Sequence, residues 1–283
     1  MVKFAASTWL WTSPFQKDSL YLLEKVKGMG FDAVEIPVEY PELIDVAETK
    51  KVLDDLGLEV IVCGAFGPSR DMTNEDPAVH ENCFQYIREC FDICNAWDAG
   101  FLVGPMYAAV GKARMLSPED RKKEWELAVK NLRKVCEMAG EKGLSIAIEP
   151  LNRFETDLVN TAEDVMRMVK DINHPSAKVI LDSFHMTIEE RNLKSAFETV
   201  GEHLIHVQVS ENYRGTPGTG LTPWQDLKAG IESIGYEGVV SIESFTSELK
   251  ELAGAVCFWK PMAESQDAFA TDGLAFLKNL FTG

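Results

Sequence analysis

Eight short apolar segments recur along the chain, and a stretch with helical spacing follows each of them. The segments are VKFAAS, DAVEIPV, EVIVCGAF, AGFLVGPM, LSIAIEPL, KVILDSF, LIHVQVS and GVVSIESF. Between them lie patterns such as SLYLLEKVKGMG, ENCFQYIRECFDICNAW and KKEWELAVKNLRKVCEMAGEKG, in which apolar residues return every three or four positions. Eight strands, each followed by a helix, are the count of a closed α/β barrel, the (β/α)8 TIM barrel. A doubly wound open sheet usually has fewer strands and a GxGxxG turn after the first, which is absent here.

No Pro/Gly/Ser linker, charge block or change of composition interrupts the 283 residues, so one barrel domain spanning 1–283 is expected. The longer irregular stretches are GPSRDMTNEDPAVH, YAAVGKARMLSPED, ENYRGTPGTGLTP and TSELKELAGAVCFWKPMAES, and all of them follow strands rather than precede them. In a barrel such loops build the C-terminal mouth, where the active sites of this architecture lie.

Parity along the last four strands points into that mouth. Side chains two apart on a strand share a face. Strand 5 ends at Glu149, strand 6 near Asp182 and strand 8 near Glu243, and strand 7 carries Gln208 at the comparable depth. Below them on the same face lie Ser145, Ala147, His206 and Ser241; the opposite face carries Ile146, Ile148, Val179, Leu181, Ile205, Val207, Val209, Val240 and Ile242. The apolar face packs on the outer helices, which leaves the polar set inside the barrel.

A single carboxylate at a strand end more often caps a helix or pairs with a nearby cation. Three in one mouth would repel, and each would resist desolvation. A divalent cation removes the conflict. Glu149, Asp182 and Glu243 with the amide oxygen of Gln208 form an all-oxygen set suited to a hard ion such as Mn2+ or Mg2+. Zinc favours nitrogen or sulfur, and none of the six scattered cysteines is placed to help. Glu155, His185 and Arg214 follow these positions at the same level. His185 suits a hydrogen bond to a substrate hydroxyl or carbonyl. Arg214 either stabilises charge on a substrate oxygen or pairs with Glu211 or Glu155.

Composition narrows the partners. With 28 basic against 45 acidic residues the net charge is -17, a field that repels nucleic acid and anionic lipid. No apolar run approaches the length of a membrane span, and MVKFAASTWLW lacks the features of a signal peptide, so a cytoplasmic protein is expected. Buried free thiols are the expected state of the cysteines.

At EPLNRFE, LDSFHM, HVQVSENYRGTPGTG and GYEGVVSIESF the chain resembles the ketose 3-epimerases, which include the tagatose and psicose 3-epimerases, within the xylose-isomerase-like barrels. The resemblance covers nearly the whole chain. It implies a Mn2+ site, with Mg2+ or Co2+ as alternatives, held by Glu149, Asp182, Gln208 and Glu243. It implies that Glu149 and Glu243 act as acid and base on the two faces of a ketose, inverting C3 through a cis-enediolate. Glu155, His185 and Arg214 match positions that bind oxygens at the carbonyl end. A homodimer or homotetramer is the assembly of the similar enzymes. Gln208 departs from the family, whose usual strand-7 ligand is histidine, and His206 is not at the matching position. Hydroxypyruvate isomerase carries HxQ here, so a hydroxypyruvate-type aldose-ketose isomerase or a sugar lyase on a keto-sugar remains an alternative. A non-catalytic sugar-binding barrel would have no need of two opposed carboxylates.

Overall fold

A computed structural model of the chain describes residues 2–282. Its eight strands are β1 Lys3–Ser7, β2 Ala33–Val38, β3 Glu59–Gly64, β4 Phe101–Gly104, β5 Ser145–Ile148, β6 Ala177–Asp182, β7 Leu204–Val209 and β8 Val239–Ile242. All pair in parallel with their sequence neighbours, and β8 returns to β1, which closes the barrel. The principal crossover helices are α1 Tyr21–Met29, α2 Val46–Leu56, α3 Pro77–Trp97, α4 Pro118–Glu141, α5 Ala162–Ile172, α6 Ser183–Glu189, α7 Leu193–Val200 and α8 Trp224–Ser233; α9 Lys250–Ala255 and α10 Gln266–Thr282 follow β8. The expected (β/α)8 architecture is observed.

Local sequence sets the helix starts. Asp76 and Ser117 accept hydrogen bonds from Ala78 and Asp120 backbone N–H groups, and each is followed by a proline at the first helical position. Thr161 and Asp164 form a reciprocal capping box on α5.

Burial follows strand parity. Ile146, Ile148, Val179, Leu181, Val207, Val209, Val240 and Ile242 belong to the large apolar layer between strands and helices. Inside the barrel a smaller set, Ala5, Ala33, Ile61, Cys63, Val103, Ala147 and Ile180, fills the floor. Ile205 departs from the expected alternation and packs against this inner set. The register between β6 and β7 shifts at Val179/Ile180, and this irregularity separates Ile205 from the face that Val207 and Val209 share. Beyond the shift Asp182 pairs with Gln208, and Gln208 with Ser241, so the polar residues of three strands lie at one height.

The mouth loops are tied to one another. Lys112, after β4, donates to Asp71 Oδ2 (2.8 Å) and Thr73 Oγ1 (2.6 Å), both after β3, and pairs in a β-bridge with Thr156 after β5. Burial opposes the Asp71 charge, but Lys112 and Thr73 outweigh it and lower its pKa.

Candidate active site

Glu149, Asp182, Gln208 and Glu243 converge at the barrel mouth, each at most 5 % exposed. Asp182 ends β6 itself, whereas Glu149 and Glu243 stand one residue past β5 and β8, fixed by backbone hydrogen bonds to Gly104 O (3.3 Å) and Val209 O (3.1 Å). Asp182 has two tasks: its Oδ1 caps α6 by accepting from the Phe184 N–H (2.9 Å), while Oδ2 faces the mouth.

Arg214 occupies the centre of the group. Its Nη1 donates to Asp182 Oδ2 (2.6 Å) and Glu243 Oε2 (2.9 Å), so the pairing anticipated with Glu211 or Glu155 is replaced by one with the site carboxylates. The backbone explains the difference. Arg214 has φ 61°, a left-handed conformation unusual for a side chain of this size, and its carbonyl accepts from Ser244 Oγ at 2.7 Å. Phe184 and Phe245 flank the guanidinium at 4.2 and 5.2 Å. Glu211 instead organises the loop after β7, accepting from Gly218 N, Thr222 N and the Trp224 indole.

His185 is 2 % exposed, and its Nδ1 accepts from the Asn152 backbone N–H at 3.1 Å. Two Asn152 donors on Nδ1 put the ring proton on Nε2, which lies 3.5 Å from Glu149 Oε1 and 3.7 Å from Asp182 Oδ2, with the Arg214 Nη2 donor 3.3 Å away. Burial pushes the His185 pKa down, which favours this neutral form. Asn152 also donates to Glu155 Oε1 at 2.8 Å, and Glu155 lines the same cleft as Glu149, His185, Arg214 and Glu243.

Gln208 is fully buried. Its Nε2 donates to Glu243 Oε1 and to Glu35 Oε1, both at 2.9 Å, and its Oε1 is buried with no hydrogen-bond partner. Glu35 was not among the residues expected from the sequence. It is fully buried on β2, and its second oxygen accepts from His206 Nε2 at 2.8 Å. The available signal was one acidic residue on the inward parity of DAVEIPV, between the inward Ala33 and Pro37. Asn152 was missed as well.

Electrostatics favours a cation here. Burial, reinforced by Glu243 and Asp182, raises the Glu149 carboxyl well above its ordinary range. Burial also raises Glu243, to about 8, against the opposing pull of Arg214. Arg214 keeps its charge because Asp182 and Glu243 outweigh its own burial. Three carboxylates around one guanidinium leave surplus negative charge when all are ionised. Glu149, Asp182 and His185 present ligand atoms within 4.8 Å of one another, as do Glu35, Cys63 and Glu243. Burial, then Glu35, keeps the Cys63 thiol protonated. The carboxylate oxygens retain further lone pairs, and Gln208 Oε1 is a buried acceptor without a partner. These donors fit a hard divalent cation.

Comparison with known proteins agrees with this geometry. Residues 23–280 match a sequence-family model described as "Xylose isomerase-like TIM barrel". The chain is similar to a "Probable ketose 3-epimerase" of Synechocystis, at 31 % identity over 99 % of this chain and 97 % of the relative. It is also similar to a D-psicose 3-epimerase of Ruminiclostridium cellulolyticum, at 30 % identity over 91 % of this chain and 88 % of the relative. Among solved structures, a D-allulose 3-epimerase from Methylomonas in complex with D-allulose superposes with a TM-score of 0.91 at 28 % identity, covering 98 % of this chain and 96 % of that one. The chain therefore belongs to the xylose isomerase-like TIM barrels and, within them, to the ketose 3-epimerase family.

Proposed function

We infer that the protein is a divalent-metal-dependent epimerase that inverts C3 of a ketose. The observation that carries this reading is the joint burial of Glu149 and Glu243, on strands three apart in the ring, beside Asp182 and Arg214. Two carboxylates approaching one space from different sides can serve the two faces of a planar intermediate.

Glu149, Asp182, Glu243 and Gln208 Oε1 would hold the cation, with Mn2+ proposed and Mg2+ or Co2+ able to substitute. When bound, it supplies Lewis-acid polarisation of the carbonyl and the adjacent hydroxyl, which acidifies the C3 proton. One glutamate removes that proton to give a cis-enediolate, and the other returns a proton to the opposite face. The His185 Nε2–H donates to an oxygen at the carbonyl end, and Arg214 stabilises the charge that develops there. Glu155, oriented by Asn152, accepts from a neighbouring hydroxyl. The flanking Phe184 and Phe245 keep water from the guanidinium and strengthen its field.

No helix among the described residues is long and apolar enough to cross a membrane. All six cysteines are free, five of them buried, which supports a cytoplasmic setting.

Metal removal tests the function. Protein stripped with a chelator should lose turnover between C3 epimers of a ketose by roughly 10²-fold or more, and Mn2+ should restore it. Turnover unchanged in the stripped protein would contradict the proposal.

A further inference from the structure

The cleft that reaches the carboxylates does not end at them. It runs outward over the ends of β1, β2 and β3 and beneath α9, with a volume of ≈ 840 Å³. A hexose has roughly a dozen non-hydrogen atoms. Even at the ~30 Å³ that a whole water takes in the liquid for each of them, it fills no more than ~360 Å³. More than half of the cleft therefore lies beyond the reach of one monosaccharide held at Glu149 and Glu243.

That outer space has two unlike walls. One is apolar: Trp9 packs on Phe245 with ring centroids 5.6 Å apart, and Leu252 and Val256 join the same cluster. The other is polar, formed by Ser13, Glu39, Tyr40 and Arg70. Ser13 Oγ donates to Glu39 Oε1, and the Trp9 indole N–H meets the same carboxylate, so this wall carries a Ser13–Glu39–Trp9 polar cluster. Arg70 does not pair with the Glu39 carboxylate: its guanidinium donates to the Ala65 and Glu39 carbonyls at 2.9 and 2.8 Å and stacks 3.6 Å from the Tyr86 ring centre. A cleft wall lined by Ser13, Glu39, Tyr40 and Arg70 offers donors and acceptors to a ligand's hydroxyls. An aromatic face opposite such groups matches a ring with an apolar C–H face and hydroxylated edges.

We propose that the outer cleft is a subsite for a second ring, and that the preferred substrate is a ketose bearing a ring-shaped substituent on a hydroxyl remote from its carbonyl. The attachment point follows from the layout: the carbonyl end must lie at the carboxylates with its carbonyl free, so the far end points outward. This inference rests on the ketose reading above and names the substrate class for it.

The probes are D-fructose and isomaltulose, a fructose with a glucosyl group on the primary hydroxyl farthest from the carbonyl. With the full chain loaded with Mn2+ in D2O, C3 deuterium incorporation should give isomaltulose a kcat/KM at least about ten-fold above that of fructose, carried mainly by KM. Ala255→Trp places bulk on the exposed cleft-side face of α9. It should erase that preference while leaving fructose within about two-fold of wild type. Glu39→Gln should raise KM for isomaltulose and leave fructose unchanged. Equal or poorer use of isomaltulose by the wild type, or a preference untouched by Ala255→Trp, would overturn the subsite alone. Exchange in neither sugar would overturn the ketose reading and the subsite with it.

Discussion

Replacing Glu243 with glutamine should lower exchange of the ketose C3 proton by roughly 10²- to 10⁴-fold, the range a positioned general acid or base contributes. The substitution is nearly isosteric. Arg214 Nη1 keeps its bond to Asp182, and a glutamine oxygen can still accept from Arg214 in place of Glu243 Oε2. What disappears is the proton acceptor. Stability should change little: burial and the nearby Asp182 and Glu35 disfavour the charged form of Glu243, whereas the new amide nitrogen faces the Gln208 Nε2 donor where Glu243 Oε1 accepted. Exchange followed by NMR beside a thermal melt separates the two effects. Exchange within a few-fold of wild type would remove Glu243 from the acid-base role.

Glu35→Ala should destabilise the fold by about 3 kcal/mol, because one truncation strands two buried partners. His206 Nε2 loses its acceptor, and Gln208 Nε2 loses one of its two. His206 Nδ1 already lacks a partner, so the ring would be left with no hydrogen bond at all. For a chain of this size the loss corresponds to a fall of roughly 6–12 °C in Tm. Turnover should fall as well, since Gln208 holds Glu243 Oε1 and takes its own position from Glu35. Glu35→Gln, which keeps the volume and one acceptor, should recover part of both. A melt indistinguishable from wild type for Glu35→Ala would show that the inner network contributes nothing.

Much of this site is legible in strand parity. Glu149, Asp182, Gln208 and Glu243 share the inward face of consecutive strands, and a period of two suffices to gather them. The barrel is legible for the same reason: alternating elements of matched length leave few topologies open. Glu35 escaped because attention to strand ends passes over a residue in mid-strand, and its partners His206 and Gln208 lie 171 and 173 residues away. Asn152 escaped because its link to His185 spans 33 residues and forms only once two loops meet. The partners of Arg214 depend on a left-handed backbone at a non-glycine residue, which spacing does not encode. Ile205 fell on the inner side because a register shift breaks the alternation that parity assumes.

Asp182 shows why a local expectation and a functional one need not compete. The helix cap, the ordinary alternative for a strand-end carboxylate, is present and formed by Oδ1, while Oδ2 meets Arg214 in the mouth. One side chain thus fixes the start of α6 and belongs to the carboxylate group, and the cap bond restrains its orientation.

The most direct test is the position at which solvent deuterium enters a ketose when the wild-type protein, loaded with Mn2+, is incubated with D-fructose in D2O and followed by NMR. The account predicts deuterium at C3, appearing together with the C3 epimer and absent when the metal is removed. Deuterium confined to C1, or epimer formed without solvent exchange, would contradict a proton transfer divided between Glu149 and Glu243.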